Sequence, residues 1–290
     1  MIVDRAVTRS GKSPHTVLCG TIAYWAVNHY YAALMRIDGK RALVIGGGGA
    51  GIGRAITRAF GRAGAAVVVA DLDENRAREA AAELTAQGAE AWALATDVRV
   101  RPQVEEMIAE AVERLGGLDV LVTVVGGQVA FVPAVRLHEM TDEDWDTMYE
   151  VNLRYVARAV RGALGVLVEQ GTGGAIISIG SVTGFMGAPR QAAYGVMKAG
   201  LLSLARTVAA EYSVDQIRMN VVAGGAIATA AANADEDRSW VEEVPLGRYG
   251  RIEEIADAAT YLASDASAYV TGQQIVVDGG VSVRGPFDRA

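Results

Sequence analysis

The chain has 290 residues, 51% hydrophobic and 21% charged, with a formal charge of −7. That composition suits one large globular domain with an ample core, and a negative chain with no Lys/Arg run excludes a nucleic-acid partner. The single cysteine, Cys19, excludes an internal disulfide framework, and His15, His29 and His138 are too scattered to ligate a metal, so no metal is expected.

Residues 1–39 read as an extension ahead of the domain proper, 40–290, which no Pro/Ser-rich linker or charge block divides. The extension carries the apolar, aromatic stretch TVLCGTIAYWAVNHYYAALM. As a signal peptide it lacks a clean small-x-small cleavage site. As a membrane span it is interrupted by Asn28, His29 and two tyrosines before ~20 apolar residues accumulate. The expectation is a helix packed on the surface or on a neighbouring subunit, with translation beginning at Met35 as a further reading, and no membrane partner.

From Arg41 onward apolar runs alternate with helical patterns. A strand at 41–46 precedes a helix with Ile52, Ala55, Ile56, Ala59, Phe60 and Ala63 on one face. Next come a strand at 65–71, a helix at about 74–87, a strand at 90–97, and a helix from Pro102 to about Leu115. A strand at 118–126 is next, and Thr141 with Asp144 forms a capping box that opens a long helix to about Val168. The remainder reads as a strand at 173–180, a long helix at 191–213, a strand at 217–224, a loop around 234–240, a helix from Ile252 to Ala263 and a strand at 272–280. Strands this continuous in Val, Ile, Leu and Ala suit a parallel sheet covered on both faces. The prediction is an α/β fold: a single doubly wound Rossmann domain with a seven-stranded parallel sheet.

The first strand runs into VIGGGGAGIG, residues 44–53. A glycine-rich turn between strand and helix is a phosphate cradle, because glycine allows close approach and the helix start offers free N–H groups. Ile52 comes after Gly51 where a Walker loop needs lysine, which disfavours nucleoside-triphosphate chemistry. Asp71 closes the next strand, where an acid accepts from the adenosine ribose of NAD and repels the extra phosphate of NADP. Ala50 and Leu72 add no positive charge, so NAD is the expected cofactor. Gly48 and Gly49 read as spacers that other residues could fill.

Four later residues are each ordinary alone. Tyr194 and Lys198 lie four apart on one helix face among Met197, Leu201 and Ala205, where a lysine needs a partner. Ser181 falls just past the fifth strand, at the ligand-binding edge of such sheets. Asn152 is an amide on the stripe Met148, Asn152, Tyr155, Ala159. Together they make a proton-transfer site beside a hydride carrier.

At these residues the chain resembles the short-chain dehydrogenase/reductase family, from about Lys40 to Gly280. Its glycine motif is similar to Gly47, Gly51, Ile52 and Gly53; its adenine-contacting pair to Asp97 and Val98; its tetrad to Asn152, Ser181, Tyr194 and Lys198; and its carboxamide-contacting residue to Thr229. The resemblance also implies cofactor contacts from Leu72, Gly126, Gly225 and Ile227. It implies Tyr194 as general acid/base with its pKa lowered by Lys198 and the nicotinamide, Ser181 orienting the substrate oxygen, Lys198 holding the nicotinamide ribose, and Asn152 anchoring a relay water. A cytoplasmic homotetramer paired through the two long helices and the last strand is the implied assembly.

Three positions depart from the family pattern. Gly46 stands for its usual threonine, TVVG at 123–126 for its NNAG, and Gly224 for a proline. Fewer hydrogen-bond partners and a looser cofactor cradle are expected. The reading is an NAD-dependent dehydrogenase or ketone reductase acting on a small-molecule alcohol or ketone. The stretch QVAFVP at 128–133 with Phe185, Met186 and Trp240 suggests a bulky, hydrophobic substrate: steroid-like, aromatic or alicyclic. The alternatives are an NADPH-using 3-oxoacyl-carrier-protein reductase, against which Asp71 counts, and a non-catalytic dinucleotide-binding regulator, against which the complete tetrad counts. A Ser/His/Asp hydrolase fits poorly, since Ser181 lacks a nucleophile-elbow pattern.

Overall fold

The computed structural model describes residues 35–229 and 239–284. The aromatic extension, Cys19 and residues 234–238 of the expected loop lie outside them, as does the side chain of Trp240.

Seven strands, β1 (Arg41–Ile45), β2 (Ala66–Asp71), β3 (Ala91–Ala95), β4 (Val120–Thr123), β5 (Gly174–Ser181), β6 (Ile217–Gly224) and β7 (Gln274–Val277), form one parallel sheet in the order β3-β2-β1-β4-β5-β6-β7. The chain reverses its direction of travel across the sheet between β1 and β4. The connections from those two strands leave to opposite sides there and open a crevice at the C-terminal edge.

Strand alternation divides the core between the two faces of the sheet. Leu43, Ile45, Val68 and Leu121 point one way, onto α3 (Arg101–Leu115), α5 (Tyr155–Gln170) and α6 (Ala192–Tyr212). Ala42, Val44, Val67 and Val122 point the other way, onto α1 (Ile52–Arg62), α2 (Glu74–Ala86) and α7 (Ile252–Ala263). Residues of the inner strands are therefore mostly buried on whichever side they face, which is why those strands read as apolar runs without polar alternation.

Several boundaries differ from expectation: β3 and β7 are shorter than 90–97 and 272–280, and three further differences lie near the crevice. The helix opened by the Thr141–Asp144 capping box is interrupted: α4 (Asp142–Tyr149) passes into a π turn (Glu150–Arg154) before α5 begins. In that turn the Tyr155 N–H bonds the Glu150 carbonyl, one residue further back than in an α-helix. β4 ends at Thr123, short of the expected 126, and beyond it Gly126 and Gly127 take φ of 146 and 136. Ser181 is the last residue of β5, paired with Gly224, rather than a residue beyond it.

The glycine loop is packed, not slack. A Cβ on Gly53 would sit 1.9 Å from the Gly46 carbonyl oxygen, so α1 starts directly against the end of β1 only because residue 53 is glycine. Gly46 itself stands at φ +86 with Val125 Cγ2 2.8 Å from where a Cβ would be. Gly48 is not a free spacer: a Cβ there would come within 2.8 Å of the Arg76 and Ala77 backbone at the start of α2. Gly49 and Gly51 face open space. We expect Gly48→Ala to lower the thermal midpoint by several degrees and Gly49→Ala to leave it nearly unchanged, as measured by calorimetry; equal effects would mean that α2 does not abut the loop.

Candidate active site

The loops that leave the C-terminal ends of the strands line the crevice. After β1 comes the glycine loop, whose Gly48 N–H donates to Asp71 Oδ2 at 3.0 Å across the end of β2. The other Asp71 oxygen accepts from the Asp73 N–H at 3.2 Å. The first turn of α1 has no side-chain cap and no acidic residue, which leaves its N–H groups available to an anion. Leu72 is 65% exposed beside Asp71.

After β3, the Asp97 carboxylate is gripped on both oxygens by the Arg99 guanidinium and held below the usual carboxylate range, while Val98 is buried in the core. On the far side, the Gly225 N–H bonds the Val277 carbonyl, Ile227 is buried against Gly250, and Thr229 is half-buried.

Asn152, Ser181, Tyr194 and Lys198 converge at the ends of β4 and β5. The π turn presents Asn152, whose amide grips Gly127 at both ends: Oδ1 accepts from its N–H at 3.0 Å and Nδ2 donates to its carbonyl at 3.1 Å. A second Nδ2 bond reaches Met148 O at 3.2 Å. Gly126 marks where the groups meet. A Cβ there would lie 2.5 Å from Asn152 Oδ1 and 3.3 Å from Lys198 Nζ.

One turn of α6 separates Tyr194 from Lys198, and the ammonium stands 5.5 Å from the Tyr194 ring centre. Lys198 is buried, donates to the Ile179 carbonyl at 2.8 Å, and is pushed down to about 8 by loss of water. Burial raises Tyr194, against which its hydrogen bond with Ser181 acts. The expected lowering of Tyr194 is therefore not supplied by the protein's own groups. Ser181 Oγ accepts from the Thr183 N–H at 3.2 Å and the Thr183 hydroxyl at 3.0 Å, which leaves its own proton to donate.

Of the departures from the family pattern, the 123–126 segment has hydroxyl partners that sequence reading missed. Thr123 donates to Ser178 at 2.9 Å, both side chains being buried, and Tyr155 donates to the Val125 carbonyl at 2.7 Å. These hydroxyls occupy the ground between β4, β5 and α5 where amides were expected. Only the hydroxyl character of Thr123, in an otherwise apolar strand, signalled this. Among the described residues no group of His, Cys, Asp or Glu could hold a metal, and no helix is long and apolar enough to cross a membrane.

Comparison with known proteins places this geometry among relatives. A family model described as enoyl-(acyl carrier protein) reductase matches residues 47–282. A 3-oxoacyl-(acyl-carrier-protein) reductase of Thermotoga maritima is 33% identical over 252 residues, 86% of this chain and 100% of its own. A cis-4-hydroxycyclohexanecarboxylate dehydrogenase of Sinomonas cyclohexanicum is 36% identical over 244 residues, 83% of this chain and 96% of its own. Among solved structures, a 7α-hydroxysteroid dehydrogenase complexed with NADH and 7-oxoglycochenodeoxycholic acid matches with a TM-score of 0.80 at 30% identity, over 86% of this chain and 96% of that one.

The buried ammonium has a measurable signature. Between about pH 8 and the ordinary lysine value of 10.5 the unfolded chain holds the Lys198 proton more tightly than the folded one. Unfolding then takes up a proton, so stability rises with pH across that window, while below it both states are charged and the full burial penalty remains. Urea denaturation of wild type and Lys198→Met should therefore show the wild type gaining on the variant as pH rises through the window. A constant difference would mean that the ammonium is not desolvated.

Proposed function

The chain belongs to the short-chain dehydrogenase/reductase family of oxidoreductases, and we propose that within it this protein is NAD-dependent and moves a hydride between nicotinamide and a secondary alcohol or ketone. The observation that carries the proposal is the convergence of Tyr194, Ser181, Lys198 and Asn152 at one edge of the sheet, beside the glycine loop.

The residues present fit a dinucleotide. Gly49 and Gly51 open onto space at the uncapped start of α1, which suits a pyrophosphate. The Asp71 carboxylate stands at the end of β2, where it would accept from ribose hydroxyls and repel a phosphate. Leu72, Asp97, Val98, Gly126, Gly225, Ile227 and Thr229 are the further contacts proposed along the crevice. Bound there, the nicotinamide supplies the hydride chemistry and a positive charge that opposes the upward shift of Tyr194.

The chain's own residues do the rest. Tyr194 gives its hydroxyl proton to the substrate oxygen in reduction and takes one in oxidation. Ser181, with its lone pairs occupied by Thr183, donates to the same oxygen and orients it. Lys198 directs one N–H at Ile179 and keeps two for a ribose hydroxyl and a relay water. Asn152 holds Gly127 in place near that ammonium and anchors the relay.

Exposed apolar side chains support a bulky hydrophobic substrate: Val129 and Phe131 in one loop and Phe185 in the other, with Met186 half-buried beside it. The relatives named for a hydroxysteroid and for a hydroxycyclohexanecarboxylate favour the same class. The 3-oxoacyl-carrier-protein relatives favour a second reading, an NADPH-using reductase, and Asp71 is the residue that opposes it. The assembly we propose is a cytoplasmic homotetramer. An apolar groove between α5 and α6, lined by Val160, Leu164, Leu204 and Val208, supports pairing through those helices.

Tyr194→Phe should cut kcat/KM by more than about a hundredfold while sparing NAD binding measured by fluorescence titration; retained turnover would refute the role of Tyr194. A substrate panel run with NAD and NADP in parallel should give a wild-type preference for NAD that shrinks in Asp71→Ala. A wild type that prefers NADP would overturn the reading of Asp71, and turnover confined to small polar polyols would overturn the hydrophobic substrate class.

A further inference from the structure

Two unfavourable features meet at the rim of the substrate pocket. Arg190, four residues before Tyr194, stands at φ 65, a left-handed backbone that residues other than glycine adopt rarely. Its carbonyl is held there by Gln128, whose Nε2 donates to it at 2.7 Å and to the Pro133 carbonyl at 3.4 Å. Gln128 is only 6% exposed, and its Oε1 is buried with no hydrogen-bond partner. Exchanging the two ends of the amide would set Oε1 against the Arg190 carbonyl, so the orientation is fixed. An unmet buried acceptor and a strained residue thus act on one and the same peptide unit.

That unit carries a guanidinium. The Arg190 side chain is exposed and makes no hydrogen bond or ion pair with any described residue. It belongs to the segment that joins Ser181 to the Tyr194 helix and that exposes Phe185, and Gln128 ties this segment to the loop that exposes Val129 and Phe131. The rim therefore sets exposed apolar side chains beside an unpaired guanidinium whose backbone, held through the Arg190 carbonyl, is pinned by Gln128. A guanidinium is a planar fork that matches a carboxylate, and in a chain of net charge −7 any attraction for an anion has to be local.

We propose that Arg190 is a specificity-determining residue that binds a carboxylate on an otherwise apolar hydroxy or keto substrate, and that Gln128 is the positioning residue that aims it. The inference rests on the pocket assigned above and narrows its substrate class from neutral hydrophobic alcohols to hydrophobic hydroxy acids.

The test separates the anion site from the chemistry. Calorimetric titration of the NAD-saturated wild type with 4-phenylbutyrate and with its neutral amide, 4-phenylbutyramide, requires no turnover. The acid should bind at least about tenfold more tightly. Arg190→Met should erase that preference, Arg190→Lys should keep part of it, and Gln128→Leu should reduce it although the arginine remains. Should Gln128→Leu fail to fold, Arg190→Met decides alone. Equal affinities, no binding of either probe, or a preference that survives Arg190→Met would overturn the proposal. In turnover, hydroxy acids should exceed their amides through KM rather than kcat. Acid-selective binding with no hydride transfer would sink the dehydrogenase reading and leave the anion site standing; turnover of neutral alcohols with no acid preference would do the reverse.

Discussion

Everything at the site hangs on an ammonium kept out of water. Lys198 has one protein hydrogen bond, to a β5 carbonyl two residues before Ser181, and burial has already pushed it down to about 8. A charge so placed is unfavourable unless its remaining hydrogens meet acceptors. The fold tolerates it because α6 lies flush on β5 and because residue 126, a glycine, leaves the ammonium a gap shared with Asn152. The ground state of the folded chain is thereby predisposed toward a partner that offers hydroxyl oxygens.

Tyr194 and Lys198 are set by the same helix but by opposite demands. The phenol is raised by burial and the ammonium lowered by it, so burial drives both groups toward their neutral forms in one small volume. Ser181 mediates between phenol and solvent, and Thr183 fixes which way Ser181 donates. The polarity of the site is thus directional at Ser181, whose acceptor positions are taken by the Thr183 N–H and hydroxyl.

The features legible in the sequence are the periodic and the local ones. The strands were legible because both faces of the sheet are covered, which makes residues such as 66–70 uniformly apolar. That Tyr194, Lys198 and Ser181 come together could be anticipated because a helix turn and a strand end set their spacing, whereas their chemical roles belong to the proposal. The π turn was not, since shifting a hydrogen bond by one residue leaves no trace in composition, and 141–168 reads as one uninterrupted helix. Gly48 was misjudged because its neighbour is the start of α2, a contact made only after the βαβ unit closes. The Thr123–Ser178 bond joins adjacent strands with two helices between them in sequence, and the Arg190 carbonyl is met by Gln128 from 62 residues away. Local pattern predicts elements; it does not predict which side chains meet across them.

The contact between Gly46 and Val125 also constrains how this chain can change over evolutionary time. With valine at 125, any side chain at 46 meets its Cγ2 at 2.8 Å, on a backbone at φ +86 that disfavours side chains in any case. Shrinking the valine alone would not open the position, because the backbone N of residue 125 lies 3.0 Å from the same point. The two residues are therefore coupled through the backbone of the turn: a hydroxyl-bearing residue at 46 needs a different path of the chain at 125, not only a smaller side chain there.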